Sequence, residues 1–262
     1  VLFLQNAKKS HYYKQRSPIT DADWDALLQQ LREQWTDLFS SMDQGVCIIS
    51  AENLTRLSSA EIQSLLTFVA PFFDRVRAIA YVRDPLKSIK SQWEQDVKEL
   101  QEPMGGQSVL KRTKQQLGYR FLQKWRECLG IDNLVVRKFD PAAFHNGSLM
   151  EDFFHALGID GLGATTIKEL ESNQSLGANG VAFLLALNSR YPQYENGTIN
   201  PRRGLARRLH LFYRAMRAAG DQPLNLEVRF DAEEAQEFNH KIAEINELLG
   251  EGNGFVSVEA SA

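Results

Sequence analysis

The chain has 262 residues, 43% hydrophobic and 24% charged, enough to bury a core without disulfide or metal staples. Thirty Lys and Arg stand against 33 Asp and Glu for a net charge of −3, which excludes the broad basic field of a general nucleic-acid binder. Cys47 and Cys128 are too few and too far apart for a zinc cluster or a disulfide framework. No apolar run approaches the roughly 18 residues of a membrane span, and no signal-peptide pattern opens the chain, so the expectation is a protein of a reducing, cytoplasmic compartment.

Val1-Leu2-Phe3-Leu4 reads as a strand already under way, which makes the expectation a chain that starts inside its domain. A helix is predicted from Thr20, with Asp21 and Asp23 in its first turn and Trp24, Leu27, Leu28, Leu31, Trp35 and Leu38 at helical spacing. Val46-Cys47-Ile48-Ile49 has the continuous apolar character of a buried strand and ends at Ser50-Ala51-Glu52-Asn53. Ser58 and Glu61 form a capping-box pair ahead of a helix carrying Ile62, Leu65, Leu66 and Val69. Val76 to Val82 is the clearest strand, and it runs into Arg83-Asp84-Pro85, where Pro85 suits the first position of a helix with Ile89 and Trp93 inward.

After a polar loop at 103–107, the spacing of Leu117, Phe121, Leu122, Trp125 and Cys128 predicts a helix over about 109–129. Leu134-Val135-Val136 is a third strand. A short helix over 149–157 follows, stopped by Gly158. Beyond it strands become scarce: 181–187 reads as a buried helix, 201–219 and 232–249 as the main C-terminal helices, and residues past Asn253 as a frayed tail. Strands alternating with helices predict an α/β fold, a parallel sheet flanked by helices with a helical C-terminal part. With no repeat and no low-complexity linker, residues 1–262 are expected to form a single domain.

In such a sheet, ligands gather outside the carboxyl ends of the strands. Arg83 stands at that position on the clearest strand, and Ser91 lies two turns into the following helix on the side of Lys87. A guanidinium fork and a neutral hydroxyl suit one phosphate. The alternative is an Arg83 paired with Asp84 or a helix end, and a Ser91 that is ordinary surface. Glu52, just past a strand-like run, is the first candidate for a general base, with a solvent-exposed or capping carboxylate as its plain alternative. His11 ranks second, and His145 and His155 are further alternatives, His155 lying in a helix where a structural role is expected. The segment 202–217 carries six arginines and no acid; it reads either as a solvated helix face or as an anion-binding surface.

The run Tyr81-Val82-Arg83-Asp84-Pro85, with Ser91 eight positions after the Arg, resembles the sulfotransferases that use 3′-phosphoadenosine 5′-phosphosulfate (PAPS), especially their bacterial, carbohydrate-directed branch. Three further pieces are similar to that branch in order and spacing: Ile48 to Leu54 with its Ser-x-Glu, Val135 to Asp140 followed by the helix ending Leu157-Gly158-Ile159, and Asn173 to Leu176 with Leu187-Asn188. The resemblance spans roughly residues 45–190. It implies a P-loop NTPase-like sulfotransferase fold, Arg83 and Ser91 on the 3′-phosphate of the nucleotide, Glu52 as base, PAPS as sulfuryl donor without a metal, and a hydroxyl of a carbohydrate or glycolipid as acceptor, with no nucleic-acid partner and no transmembrane segment.

The family's strand, Gly- and Thr-containing loop and Lys, which cradle the 5′-phosphosulfate, have no counterpart here. Gly105-Gly106-Gln107-Ser108 with Lys111 lacks the strand and the Lys spacing. The chain is therefore expected to lack its N-terminal phosphate loop, either because that loop lies upstream of Val1 or because it has been lost. The competing function is a non-catalytic, sulfotransferase-like module that binds a glycan or a partner. A phosphate-loop kinase is disfavoured, because no Mg-binding Asp follows a strand in the expected context.

Overall fold

The structure, a computed structural model, describes residues 20–43, 45–98, 119–159, 177–192, 194–195, 198–200, 220–222, 224, 226–250 and 254–260. Seven helices and two small strand pairs are seen among them: α1 Asp21–Ser40, α2 Ser59–Val69, β1 Ala78–Val82, α3 Pro85–Lys98, α4 Arg120–Leu129, β2 Leu134–Lys138, α5 Leu149–Leu157, α6 Ala178–Arg190, β3 Tyr194–Glu195, β4 Thr198–Ile199 and α7 Ala232–Leu249. β1 and β2 form a parallel pair, whereas β3 and β4 form an antiparallel one with Tyr194 opposite Ile199. The chain is thus mixed α/β and mostly helical. Its contacts divide it into two compact units, Val1–Ala80 with Tyr119–Val135, and Tyr81–Gly118 with Val136–Ala262.

In the first unit, α1 and α2 start where their caps dictate. The Thr20 and Ser58 hydroxyls accept from the Asp23 and Glu61 amides, and both carboxylates return a bond to the cap backbone, which satisfies two otherwise orphaned donors at each helix start. The core gathers around Phe39, Leu57, Ile62, Leu65 and Val69, all buried. Trp35 and Phe73 meet Phe39 edge-on at centroid distances of 5.2 and 5.1 Å, the arrangement that the ring quadrupoles favour. The Lys124 Nζ and Trp125 Nε1 of α4 donate to the Leu57 and Leu54 carbonyls at 3.3 and 3.4 Å. These bonds anchor the short 3-10 turn Glu52–Arg56.

One expectation is corrected in this unit. Val46 to Ile49 is extended but joins no strand ladder, and Val46 and Ile48 are 55% and 48% exposed. An apolar run of this length becomes a buried strand only where a neighbouring edge takes up its backbone groups, and no such edge is present among the described residues. The helix expected over about 109–129 is seen from Arg120 to Leu129, and its expected start lies outside the described residues.

The second unit packs α3 against α6 through Trp93, Val97, Val181, Leu184 and Leu187. The buried Asn188 of α6 donates its side-chain amide to the Val97 carbonyl at 3.1 Å. The start of α6 is capped from a distance: both Asp221 carboxylate oxygens accept from the Asn179 and Gly180 amides, at 3.0 and 2.8 Å. α5 ends as expected at Gly158, whose φ of 74° lies in the left-handed region. The expectation of a frayed C-terminus is corrected as well. Residues 254–260 run extended along α7, and Asn246 and Asn239 each exchange two bonds with the backbone, Asn246 with Phe255 and Asn239 with Val258. Phe255 is buried, and the Lys138 ammonium lies 5.1 Å from its ring centroid.

Candidate anion site at the end of β1

The second unit holds Arg83 and Ser91. β1 ends at Val82, which is fully buried, and its carbonyl accepts from the Phe139 amide at 2.7 Å, just past β2. Arg83 is the next residue and is exposed. Asp84 then caps α3: its carboxylate accepts from the Lys87 amide at 2.9 Å and its carbonyl from the Ser88 amide at 2.8 Å, while Pro85 occupies the first helical position. Pro85, Ile89, Trp93 and Val97 are buried along one face of α3. At 100° per residue, Lys87 and Ser91 fall opposite that face, and both are exposed. Arg83 thus directly follows β1, and Ser91 lies on the helix after it. The Asp84 carboxylate takes up the Lys87 amide at the helix start.

Behind this strand end lies a cluster that sequence reasoning missed. Arg137, in β2, donates from Nε to Asp152 Oδ2 at 2.5 Å and from a terminal nitrogen to Asp152 Oδ1. Asp152 belongs to the first turn of α5 and is 1% exposed. It accepts two further bonds, from the Tyr81 hydroxyl at 2.6 Å and the His145 amide at 2.8 Å. Burial by itself would raise the Asp152 carboxyl, but the bonds from Arg137, Tyr81 and His145 together hold it below the ordinary carboxylate range. Burial first, then the hydrogen bond to Asp152, drives the Tyr81 phenol upward. The Asp152 hydrogen bond raises Arg137 in turn. Arg137 is thus committed to an internal carboxylate. The only signal in the sequence was an Arg at a strand end and an Asp in the first turn of a helix, which no spacing rule connects.

Glu52 opens the 3-10 turn Glu52–Arg56 in the first unit. His145 and His155 are both exposed, and their rings stack at a centroid distance of 4.2 Å and an interplanar angle of 4°. His155, for which a structural role is expected, lies in α5 and makes this ring contact. His11, Asn173 to Leu176, the segment 105–113 and the arginines of 202–217 lie outside the described residues. A surface groove of about 560 Å³, lined by Arg32, Gln63, Ser64 and Phe68 among others, contains none of the expected site residues. Among the described residues no group of three His, Cys, Asp or Glu side chains is placed to hold a metal ion, and no helix is long and apolar enough to cross a membrane.

Comparison of the chain with protein-family models, with curated proteins and with solved structures returns no match.

Proposed function

We propose that the chain is a PAPS-dependent sulfotransferase acting on a hydroxyl of a carbohydrate or glycolipid. The observation that supports this most is the placement of an exposed Arg83 at the carboxyl end of a parallel strand, with an exposed Ser91 on the helix that follows. The residue types suit the nucleotide's 3′-phosphate end: a permanently charged fork and a hydroxyl, beside a helix start whose Lys87 amide is taken up by Asp84. PAPS, when bound, supplies a sulfuryl group activated by its anhydride link to phosphate. On this reading Arg83 and Ser91 bind and orient the donor through its 3′-phosphate. Glu52 accepts the proton of the acceptor hydroxyl as the new oxygen–sulfur bond forms. The bond from sulfur to the phosphate oxygen breaks in the same displacement, and 3′-phosphoadenosine 5′-phosphate leaves.

The test is incubation with PAPS carrying labelled sulfur and a panel of hydroxyl-bearing glycans. Label on a glycan, lost in Glu52→Gln, supports the enzyme. Nucleotide binding without transfer to any acceptor supports instead the non-catalytic, glycan- or partner-binding module. Absence of nucleotide binding removes the reading altogether.

A further inference from the structure

His145 and His155 have no part in the proposed transfer. Both belong to the second unit, both are exposed, and their rings lie parallel, with centroids 4.2 Å apart and an interplanar angle of 4°. His145 opens the short 3-10 turn His145–Gly147, and His155 lies in the last turn of α5. The backbone fixes these two elements to each other. The His145 amide donates to the buried Asp152 carboxylate at 2.8 Å, and the His145 carbonyl accepts from the Ser148 amide at 3.2 Å. The turn is tight, with Asn146 at φ 52° and Gly147 at φ 73°, both in the left-handed region. Asn146 Nδ2 donates across to the Glu151 carboxylate of α5 at 2.8 Å. His155 stands one turn after Glu151 on the same side of that helix, and its carbonyl accepts from the Gly158 amide at 2.9 Å. These bonds fix where the two rings stand, and none of them is made by an imidazole.

Imidazole is a ligand for the borderline divalent ions zinc, nickel and copper, and its nitrogen binds zinc at about 2.0–2.1 Å. A nitrogen lone pair lies in the plane of its ring, so both rings tilt out of the parallel stack to meet one ion. The terminal torsion of histidine is broad, and the exposure of both rings leaves room for that turn. The Glu151 carboxylate, one turn before His155, adds negative charge that favours a cation.

We infer that His145 and His155 form a two-nitrogen site for a divalent transition-metal ion, with water filling the remaining positions. Two protein ligands and an open coordination shell make an exchangeable surface site, in contrast to the closed four-ligand arrangement of a structural zinc. The site does not rest on the proposed function, so neither falls with the other.

The test is titration of the full chain with Zn²⁺ against a chromophoric chelator, for wild type, His145→Ala, His155→Ala and the double variant. Each single substitution is expected to weaken Zn²⁺ about tenfold or more, because it removes the second, intramolecular contact. The double variant is expected to fall little below either single one. Since both side chains are exposed, the variants keep the wild-type thermal midpoint without metal. Zn²⁺ raises that midpoint in wild type and in none of the variants. A Zn²⁺ affinity within about twofold of wild type in either single variant, or a midpoint rise that persists in the double variant, overturns the site and leaves the pair a ring stack only.

Discussion

Arg137 binds Asp152 through two hydrogen bonds, with the Nε bond at 2.5 Å, and so fastens the end of β2 to the first turn of α5. Tyr81 of β1 closes the same carboxylate from the other strand at 2.6 Å. The strand that presents Arg83 is therefore held two residues earlier by a buried charge. Removing one member of such a pair leaves the other uncompensated, which typically costs about 3–5 kcal/mol. Arg137 is partly exposed and water would relieve some of that cost, so Asp152→Ala is expected to lose about 3 kcal/mol, read as a lower urea midpoint at an unchanged slope. A loss below about 0.5 kcal/mol, the range of ordinary surface substitutions, would show that the cluster does not hold the strands.

The same carboxylate sets a pH dependence. Its folded pKa lies below the ordinary value, so in the acid range the unfolded chain binds the proton first and stability rises with pH there. Asp152 thus stabilises the fold above its unfolded pKa of about 3.9, and that contribution is lost as pH falls through the lower, folded value. Asp152→Asn is expected to flatten the acid limb of the stability profile below about pH 4. Parallel limbs for wild type and variant would contradict it.

The C-terminal segment offers a separate test. Asn246 donates to the Phe255 carbonyl at 3.0 Å and accepts from its amide at 2.7 Å. Asn246→Ala removes both bonds and is expected to cost about 1–2 kcal/mol, with amide exchange accelerated at Phe255 and left near wild type in α3. Unchanged exchange at Phe255 would mean that burial of its ring alone seats the segment.

Gly177 tests a close approach. Its φ of −82° is open to any residue, yet a Cβ there would overlap the Asp221 carboxyl group that caps α6. Gly177→Ala is therefore expected to destabilise by about 1–3 kcal/mol through overpacking, and Asp221→Ser in the same chain to recover part of the loss. A neutral Gly177→Ala would show that the cap can withdraw at no cost.

Local signals carried most of the helices. The capping pairs Thr20 with Asp23 and Ser58 with Glu61, Pro85 at a helix start and Gly158 past a helix end act within one turn of chain, so their chemistry is readable in order. What the sequence did not disclose depends on partners far along it. Whether Val46 to Ile49 becomes a strand is decided by a neighbouring edge, and the seating of Phe255 is decided by two asparagines a helix face away. For the candidate site, the spacing of Arg83 and Ser91 was legible because both flank one strand-to-helix turn. The Arg137–Asp152 pair was not, since fifteen residues and a change of element separate them.

The most direct measurement is calorimetric titration with 3′-phosphoadenosine 5′-phosphate of wild type, Arg83→Ala and Ser91→Ala. Loss of a charge-assisted contact is expected to cost Arg83→Ala about 1.5–3 kcal/mol, and loss of a neutral one to cost Ser91→Ala about 1 kcal/mol. Both variants should keep the wild-type thermal midpoint, since both side chains are exposed. Unchanged nucleotide affinity in Arg83→Ala would contradict the assignment of this strand end as the 3′-phosphate site.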